Sequence, residues 1–360
     1  LDARPKSRGT SCGPEANFRR QERSPGHRIG HLIPTSLPRQ LQHEVQPMAA
    51  TRSSLPKSPF FKLVAAGEGI WAAVATDFTA AVGNSAIVDL GGRWLVVDTF
   101  MSARAATDLH GVVRSLAGDE PLWVVNTHSH MDHVGGNTVF AAAATIAATG
   151  ATRERVLETA AGLPQRIAAA EAAAADATAG DDEESVGRRR EAGARLDSLR
   201  RLRLVAPDAT IGDRLTLYGQ RRRADLIALG TAHTNGDLAI HLPDDRTLLA
   251  GDVVVNHTLP FVHDGDAVQW LGVLARLRVL GAATLLPGHG EVGDAATIDD
   301  MVDCLGALLA GADALAHDPE APAPGVPERF RAWGGAQRWP ELVGLVASRK
   351  AQAPLGVGVR

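Results

Sequence analysis

The chain has 360 residues, a formal net charge of -4 and 45% hydrophobic residues. That is enough for one large or two modest domains with a substantial core, and the near-neutral charge gives no electrostatic ground for a nucleic-acid partner. Two cysteines, Cys12 and Cys304, exclude a disulfide framework and a cysteine-rich metal site.

Residues 1–58 are rich in Arg, Pro, Ser, Gln and His and show no apolar periodicity. Such a segment buries too little surface to offset its ordering entropy, and reads as a disordered tail. Its first residue is Leu1 and Met48 lies near its end, so translation is expected to start at Met48, leaving residues 1–47 out of the mature protein. No apolar stretch in the first 50 residues is long enough for a signal peptide, and no apolar run reaches the roughly 18 residues of a membrane span. The expectation is a cytoplasmic protein without a membrane partner.

Order is expected from about Phe60. Strands are predicted at Ile70–Val74, Ser85–Leu90 and Trp94–Val97, the last two joined by a Gly91-Gly92 hairpin turn in which Asp89 is a turn residue. A helix over Ala105–Ala117 and a buried strand over Leu122–Asn126 follow, then a short helix at Thr138–Ala144 and a strand at Ala144–Ala148. Residues 152–203, dominated by Ala, Arg and Glu, predict two helices broken at Gly180-Asp181-Asp182. They read as a helical hairpin with solvated charged faces, or as a lid or specificity insert over a site. Strands resume at Ala209–Tyr218, Asp225–Leu229, Leu238–Leu242, Thr247–Ala250 and Ala283–Leu286, with a helix at Ala267–Leu280 and two more helices over 297–350. Strand groups mixed with helices predict sheets covered on their outer faces by helices.

The densest chemical signal is Thr127-His128-Ser129-His130-Met131-Asp132-His133, directly after an apolar strand. Alternate residues of an extended segment face one side, so His128, His130 and Asp132 can converge, while His133 needs a turn to join them. Imidazole and carboxylate are typical ligands of zinc and other first-row metals. Three more apolar strands end in glycine-containing loops with a ligand-type residue: Gly230 to Asp237 with His233, Gly251-Asp252, and Pro287-Gly288-His289-Gly290. Strand ends hold side chains rigidly, as a metal site requires.

With Asp98, in Leu95-Val96-Val97-Asp98-Thr99, these segments form five motifs in order, and over residues 62–295 the chain resembles the metallo-β-lactamase superfamily. The resemblance implies an α/β (α+β) fold, a four-layer αββα sandwich, here spanning 59–297 with the helical insert at 152–203 and followed by a C-terminal helical extension at 298–360. It implies that His128, His130 and His233 bind one metal ion, that Asp132, His133 and His289 bind a second, and that Asp252 bridges them. Asp98 would be a buried acceptor orienting a ligand imidazole. The cofactors expected are two Zn2+ ions, with Fe or Mn as alternatives. The expected function is a hydrolase in which a metal-bridging hydroxide attacks the carbonyl of a small-molecule thioester, ester, lactone or amide, with Asp132 and Asp252 as the catalytic carboxylates.

Asp252 stands where many zinc β-lactamases carry a cysteine, and His130 stands where the flavodiiron proteins carry a glutamate. The lone Tyr218 precedes His233, whereas lactone-opening relatives use a tyrosine after that motif. The stretch His233–His289 looks most like the glyoxalase II-like and quinoprotein-relay zinc hydrolases. A mononuclear-iron oxidoreductase of the persulfide dioxygenase type and a zinc β-lactamase are the alternatives.

Around this set, His257 and His263 are candidates to line the pocket, as is Phe261, while Trp71 reads as core packing. Thr234 and Asp237 are expected to hydrogen-bond around His233 or to cap a turn. His110 and His241 read as structural.

Overall fold

The structure is a computed structural model that describes residues 55–176, 182–318 and 320–352. The expected tail, as far as residue 54, lies outside the described residues, as do Cys12, and Gly180 and Asp181 of the expected helix break. Ser58 donates its hydroxyl to Asp108 at 2.7 Å.

In chain order the elements are β1 (Phe61–Gly67), β2 (Ile70–Ala75), β3 (Ser85–Asp89), β4 (Trp94–Val97), α1 (Ala103–Ala117), β5 (Leu122–Val125), α2 (Met131–Val134), α3 (Asn137–Phe140) and β6 (Thr145–Thr149). Three helices follow, α4 (Gly150–Ala161), α5 (Leu163–Asp176) and α6 (Glu183–Arg201). The rest comprises β7 (Ala209–Ile211), β8 (Arg214–Tyr218), β9 (Arg223–Gly230), β10 (Asp237–Leu242), β11 (Thr247–Gly251), α7 (Ala267–Val279), β12 (Thr284–Pro287), α8 (Ala295–His317) and α9 (Trp339–Gln352).

β1 to β7 form one sheet in sequence order, and the second runs β12-β11-β10-β9-β8. Both sheets are buried on two faces, which is why their central strands read as continuous apolar runs rather than alternating ones. In β4, Trp94 and Val96 point outward into a cluster with Leu109, Val112 and Val113 of α1. Leu95 and Val97 point inward, where they meet Leu226, Leu238, Ile240 and Leu249 of the second sheet. The outer face of the second sheet is covered by α7, α8 and α9 through Trp270, Leu274, Met301, Leu305, Trp339 and Val343. Each fully buried Leu or Val in these layers contributes about 1.5–3 kcal/mol. The layers are helix, sheet, sheet, helix, the αββα sandwich expected from the sequence. Among the described residues no helix is long and apolar enough to cross a membrane.

Three local expectations differ from the structure. The run Ala209–Tyr218 is two strands: β7 pairs with β6 in the first sheet and β8 with β9 in the second. Gly212-Asp213 is the crossover, a short interruption that periodicity cannot separate from a bend. Among the described residues, 152–203 hold three helices rather than two. The additional break falls at Gly162, because Pro164 lacks an N–H and its ring disfavours continuation from α4. β1 has no counterpart in the predicted strands; Phe61-Lys62-Leu63-Val64-Ala65-Ala66-Gly67 alternates weakly, and it pairs antiparallel with β2.

Candidate metal centre

Strand direction sets the site. β5 runs parallel to β4, and β11 runs parallel to β12; β10 is antiparallel to both β11 and β9. The C-terminal ends of β5, β9, β11 and β12 therefore open on one edge of the sandwich, each followed by a ligand-bearing loop. β5 leads to His128 and His130, and the single turn of α2 swings Asp132 and His133 to the same side. β9 leads to His233, β11 to Asp252 and β12 to His289.

The seven side chains fall into two groups whose ligand-type atoms lie within 4.8 Å of one another: His128, His130, His233 and Asp252, then Asp132, His133 and His289. Asp252 lies between them. Its Oδ2 is 3.4 Å from His233 Nε2, 3.9 Å from His128 Nε2 and 3.2 Å from His289 Nε2, and its Oδ1 is 3.2 Å from His133 Nε2. Asp132 Oδ2 is 3.2 Å from His289 Nε2 and 3.5 Å from His133 Nε2.

The outer atoms of the rings are held by a buried frame. Asp98 Oδ1 accepts from the Thr127 N–H at 2.8 Å, and its Oδ2 accepts from the Thr127 hydroxyl at 2.7 Å. The same Oδ2 lies 2.8 Å from His133 Nδ1. A carboxylate can only accept, so His133 carries a hydrogen on Nδ1, and Nε2 is the atom that turns inward. The Thr127 hydroxyl, already donating to Asp98, accepts from His128 Nδ1 at 3.0 Å and turns His128 Nε2 inward in the same way. Asn126 and Thr99 donate to the His133 carbonyl at 3.0 and 2.9 Å, fixing the backbone under α2.

Two supports escape sequence reasoning. Asp264 Oδ2 lies 2.8 Å from His130 Nε2, which leaves His130 Nδ1 pointing at His233 Nε2, 2.9 Å away. The two residues are 134 positions apart and share no motif. Gly83, in the β2–β3 loop, abuts His133 so closely that a Cβ there would lie 2.7 Å from its Nε2. Gly288, inside a recognisable motif, is bound by the same limit, since a Cβ would meet Asp252 Oδ1 at 1.9 Å.

Burial and mutual charge set the electrostatics. Burial works to raise Asp252, but His289, His133 and His128 outweigh it and hold the carboxyl well below the usual range. Asp132 is likewise pulled well below against its burial, by His133 and His289. Burial disfavours a cationic His289, yet Asp252 and Asp132 push it up to about 10. Burial opposes charge on His133 too, but Asp252, Asp132 and Asp98 raise it well above an ordinary histidine. In the other group burial dominates: it lowers His128 strongly and takes His233 down to about 3. His128 and His233 are thus favoured as neutral imidazoles, whereas Asp132, His133, His289 and Asp252 favour each other's charge.

The remaining candidates sort by position. Phe261 sits at the rim, edge-on to His130 at 5.3 Å between centroids and stacked on His263 at 4.1 Å. Trp71 stacks on Trp94 at 6.1 Å in the outer cluster. His257 packs 6.0 Å from Trp333. Thr234 gives both its N–H and hydroxyl to Asp237, and burial raises the Asp237 carboxyl to about 7. His110 meets the edge of Phe140, His241 lies in β10, and Asp89 accepts from the Gly91 N–H at 2.7 Å.

An αββα sandwich with two His/Asp groups at one edge of its sheets defines the class. Residues 79–289 match the family model of the metallo-beta-lactamase superfamily, and the chain belongs to that superfamily. Among solved structures it is similar to a metallo-β-lactamase from Pontibacter korlensis, with a TM-score of 0.52 and 16% identity over 68% of this chain and 99% of that one. It is similar also to the DIM-1 metallo-β-lactamase, with a TM-score of 0.52 and 19% identity over 70% of this chain and 99% of that one. At such identities the likeness is one of fold. No curated protein matches the chain.

Proposed function

We propose that this protein is a dinuclear metal-dependent hydrolase acting on the carbonyl of a small-molecule thioester, ester, lactone or amide. The observation that carries the reading is the position of Asp252 between two ligand groups, three of whose buried inner atoms make no hydrogen bond. His128 Nε2, His133 Nε2 and Asp252 Oδ1 are buried and lack any hydrogen bond. Buried polar atoms are almost always satisfied, and a metal ion is the partner this donor set fits. Nitrogen and oxygen donors without sulfur suit zinc, and admit iron or manganese.

His128, His130 and His233 would hold one ion, Asp132, His133 and His289 the other, with Asp252 shared. When bound, such ions supply Lewis acidity and a water acidified from a pKa of about 15.7 towards about 7. The chain's own contribution is orientation: Asp98 and Asp264 set the tautomers of His133 and His130, and Thr127 that of His128. Asp132 is ionised and its side chain is 14% exposed against 7% for Asp252. Asp132 would, in this reading, help to hold the second ion through Oδ2 and relay a proton during the reaction. In this reading residues 59–297 are the catalytic domain, 152–203 its helical insert and 298–360 an extension.

The test is metal content of protein purified without added metal, with thioester and β-lactam hydrolysis measured on the same sample. One ion for each of the two groups, with thioester or ester turnover, is the expected result. Asp252→Ala should lose at least one ion and most of the turnover, and full activity in that variant refutes the two-metal reading. A single iron ion with oxygen consumption and no hydrolysis overturns the hydrolase reading in favour of an oxidoreductase.

A further inference from the structure

A cavity of about 360 Å³ opens beside the first ligand group. Its wall includes His130, Thr234 and Asp264 from the sandwich, and Arg155, Thr159 and Arg166 from α4 and α5. The helical segment between β6 and β7 thus contributes two arginines to the lining of the space next to the ligand group. A volume of this size is in the range of small-molecule sites.

The charges in this wall are unbalanced. Arg166 forms no ion pair among the described residues. Arg155 has Glu158 at 3.4 Å, an i,i+3 contact with both side chains more than half exposed, and such pairs bind their members weakly. The one acid among the lining residues, Asp264, is turned onto His130. Thr159, Thr234 and Asn235 add polar groups without charge.

We propose that Arg155 and Arg166 clamp a carboxylate of the substrate, so that the preferred substrates are acyl esters or thioesters carrying a second, anionic carboxylate. The inference rests on the hydrolase reading for the word substrate, but the anion site has its own readout. A guanidinium presents planar paired donors that match a carboxylate, and the bond is charge-assisted. It gives α4 and α5 a part in specificity rather than only a solvated face.

The experiment compares the S-phenyl thioester of glutaric acid with S-phenyl pentanethioate, a neutral compound of the same length. It uses the metal-loaded full chain and the variants Arg155→Gln and Arg166→Gln. In parallel, calorimetry follows binding of glutarate and of inorganic phosphate to the same three proteins. The native protein should favour the glutaryl thioester about tenfold or more, through KM, and each variant should bring that ratio close to parity. Glutarate binding should weaken about as much in each variant. If neither thioester turns over but glutarate binds in an arginine-dependent way, the anion site stands and the hydrolase reading falls. Equal turnover of both thioesters, with glutarate affinity the same in all three proteins, overturns the anion site and leaves the hydrolase reading intact. Arginine-dependent binding of phosphate in preference to glutarate overturns the choice of carboxylate.

Discussion

Replacing Asp98 by Asn preserves the shape of the side chain and reverses two hydrogen bonds, those that Oδ2 accepts from His133 Nδ1 and from the Thr127 hydroxyl. The Thr127 N–H at 2.8 Å from Oδ1 demands an oxygen there, so the new amide nitrogen takes the place of Oδ2, 2.8 Å from His133 Nδ1. An amide N–H opposite Nδ1 forces the ring to accept at that atom and to carry its hydrogen on Nε2. Nε2 is the atom that faces Asp132 and Asp252, so the ring can no longer offer a lone pair to a metal there. Asp98 has a φ of 61°, a left-handed conformation that Asn adopts as readily as Asp, so the backbone is not strained. Partners that orient ligand imidazoles are worth about 10–100-fold in metal affinity, or about 1.4–2.7 kcal/mol. The loss should fall on the group of Asp132, His133 and His289, and part of it should reach the other group, because the Thr127 hydroxyl loses its acceptor at Oδ2 and turns against His128 Nδ1; both phases of a titration against a chromophoric zinc chelator should weaken. An Asp98→Asn protein that binds both equivalents with native affinity refutes the argument that this carboxylate sets the His133 tautomer.

Asp264→Asn should act on the other group, weakening metal binding through His130 by about 10–100-fold, measured in the same titration. Metal binding should release protons: His289, raised to about 10, is cationic in the metal-free protein at pH 8 and must be neutral to ligate, and His133 is raised in the same direction. Affinity at that group therefore rises with pH until these histidines are deprotonated and falls below it. Calorimetry at pH 8 in buffers of different ionisation enthalpy should show release of about one proton from His289, to which any proton held by His133 adds. A buffer-independent heat contradicts this charge arrangement. Cys304 is fully buried in α8 and burial raises its thiol to about 12. In a Cys12→Ser variant it should resist thiol reagents at pH 8 until the protein unfolds, reacting roughly a thousandfold more slowly than a free thiol. Rapid labelling of the folded protein would show that this helix opens.

Much of the architecture was legible in the sequence because it is written locally. Strands buried on both faces leave continuous apolar runs, and the site motifs combine such a run with a glycine and a ligand-type residue within a few positions. His128, His130, Asp132 and His133 occupy one hexapeptide, so their proximity follows from the chain itself. That His233, Asp252 and His289 join them depends on the order and direction of strands in the second sheet, which local patterns do not encode. The same holds for the division of Ala209–Tyr218 between two sheets, because a two-residue crossover looks like a bend until its strand partners are known. Asp264 and Gly83 left no signal, since a single Asp in a loop and a single Gly in a turn acquire meaning only from the imidazole placed against them. The helical composition of residues 152–203 marked helices with charged faces; which arginines face the site was decided by how α4 and α5 pack beside His130. The sequence by itself determined the residues capable of binding metal and the strands that end in them. The tertiary structure decided their convergence and the tautomers of His133 and His130, because both depend on contacts between separate segments, 35 residues apart for Asp98 and His133 and 134 for His130 and Asp264.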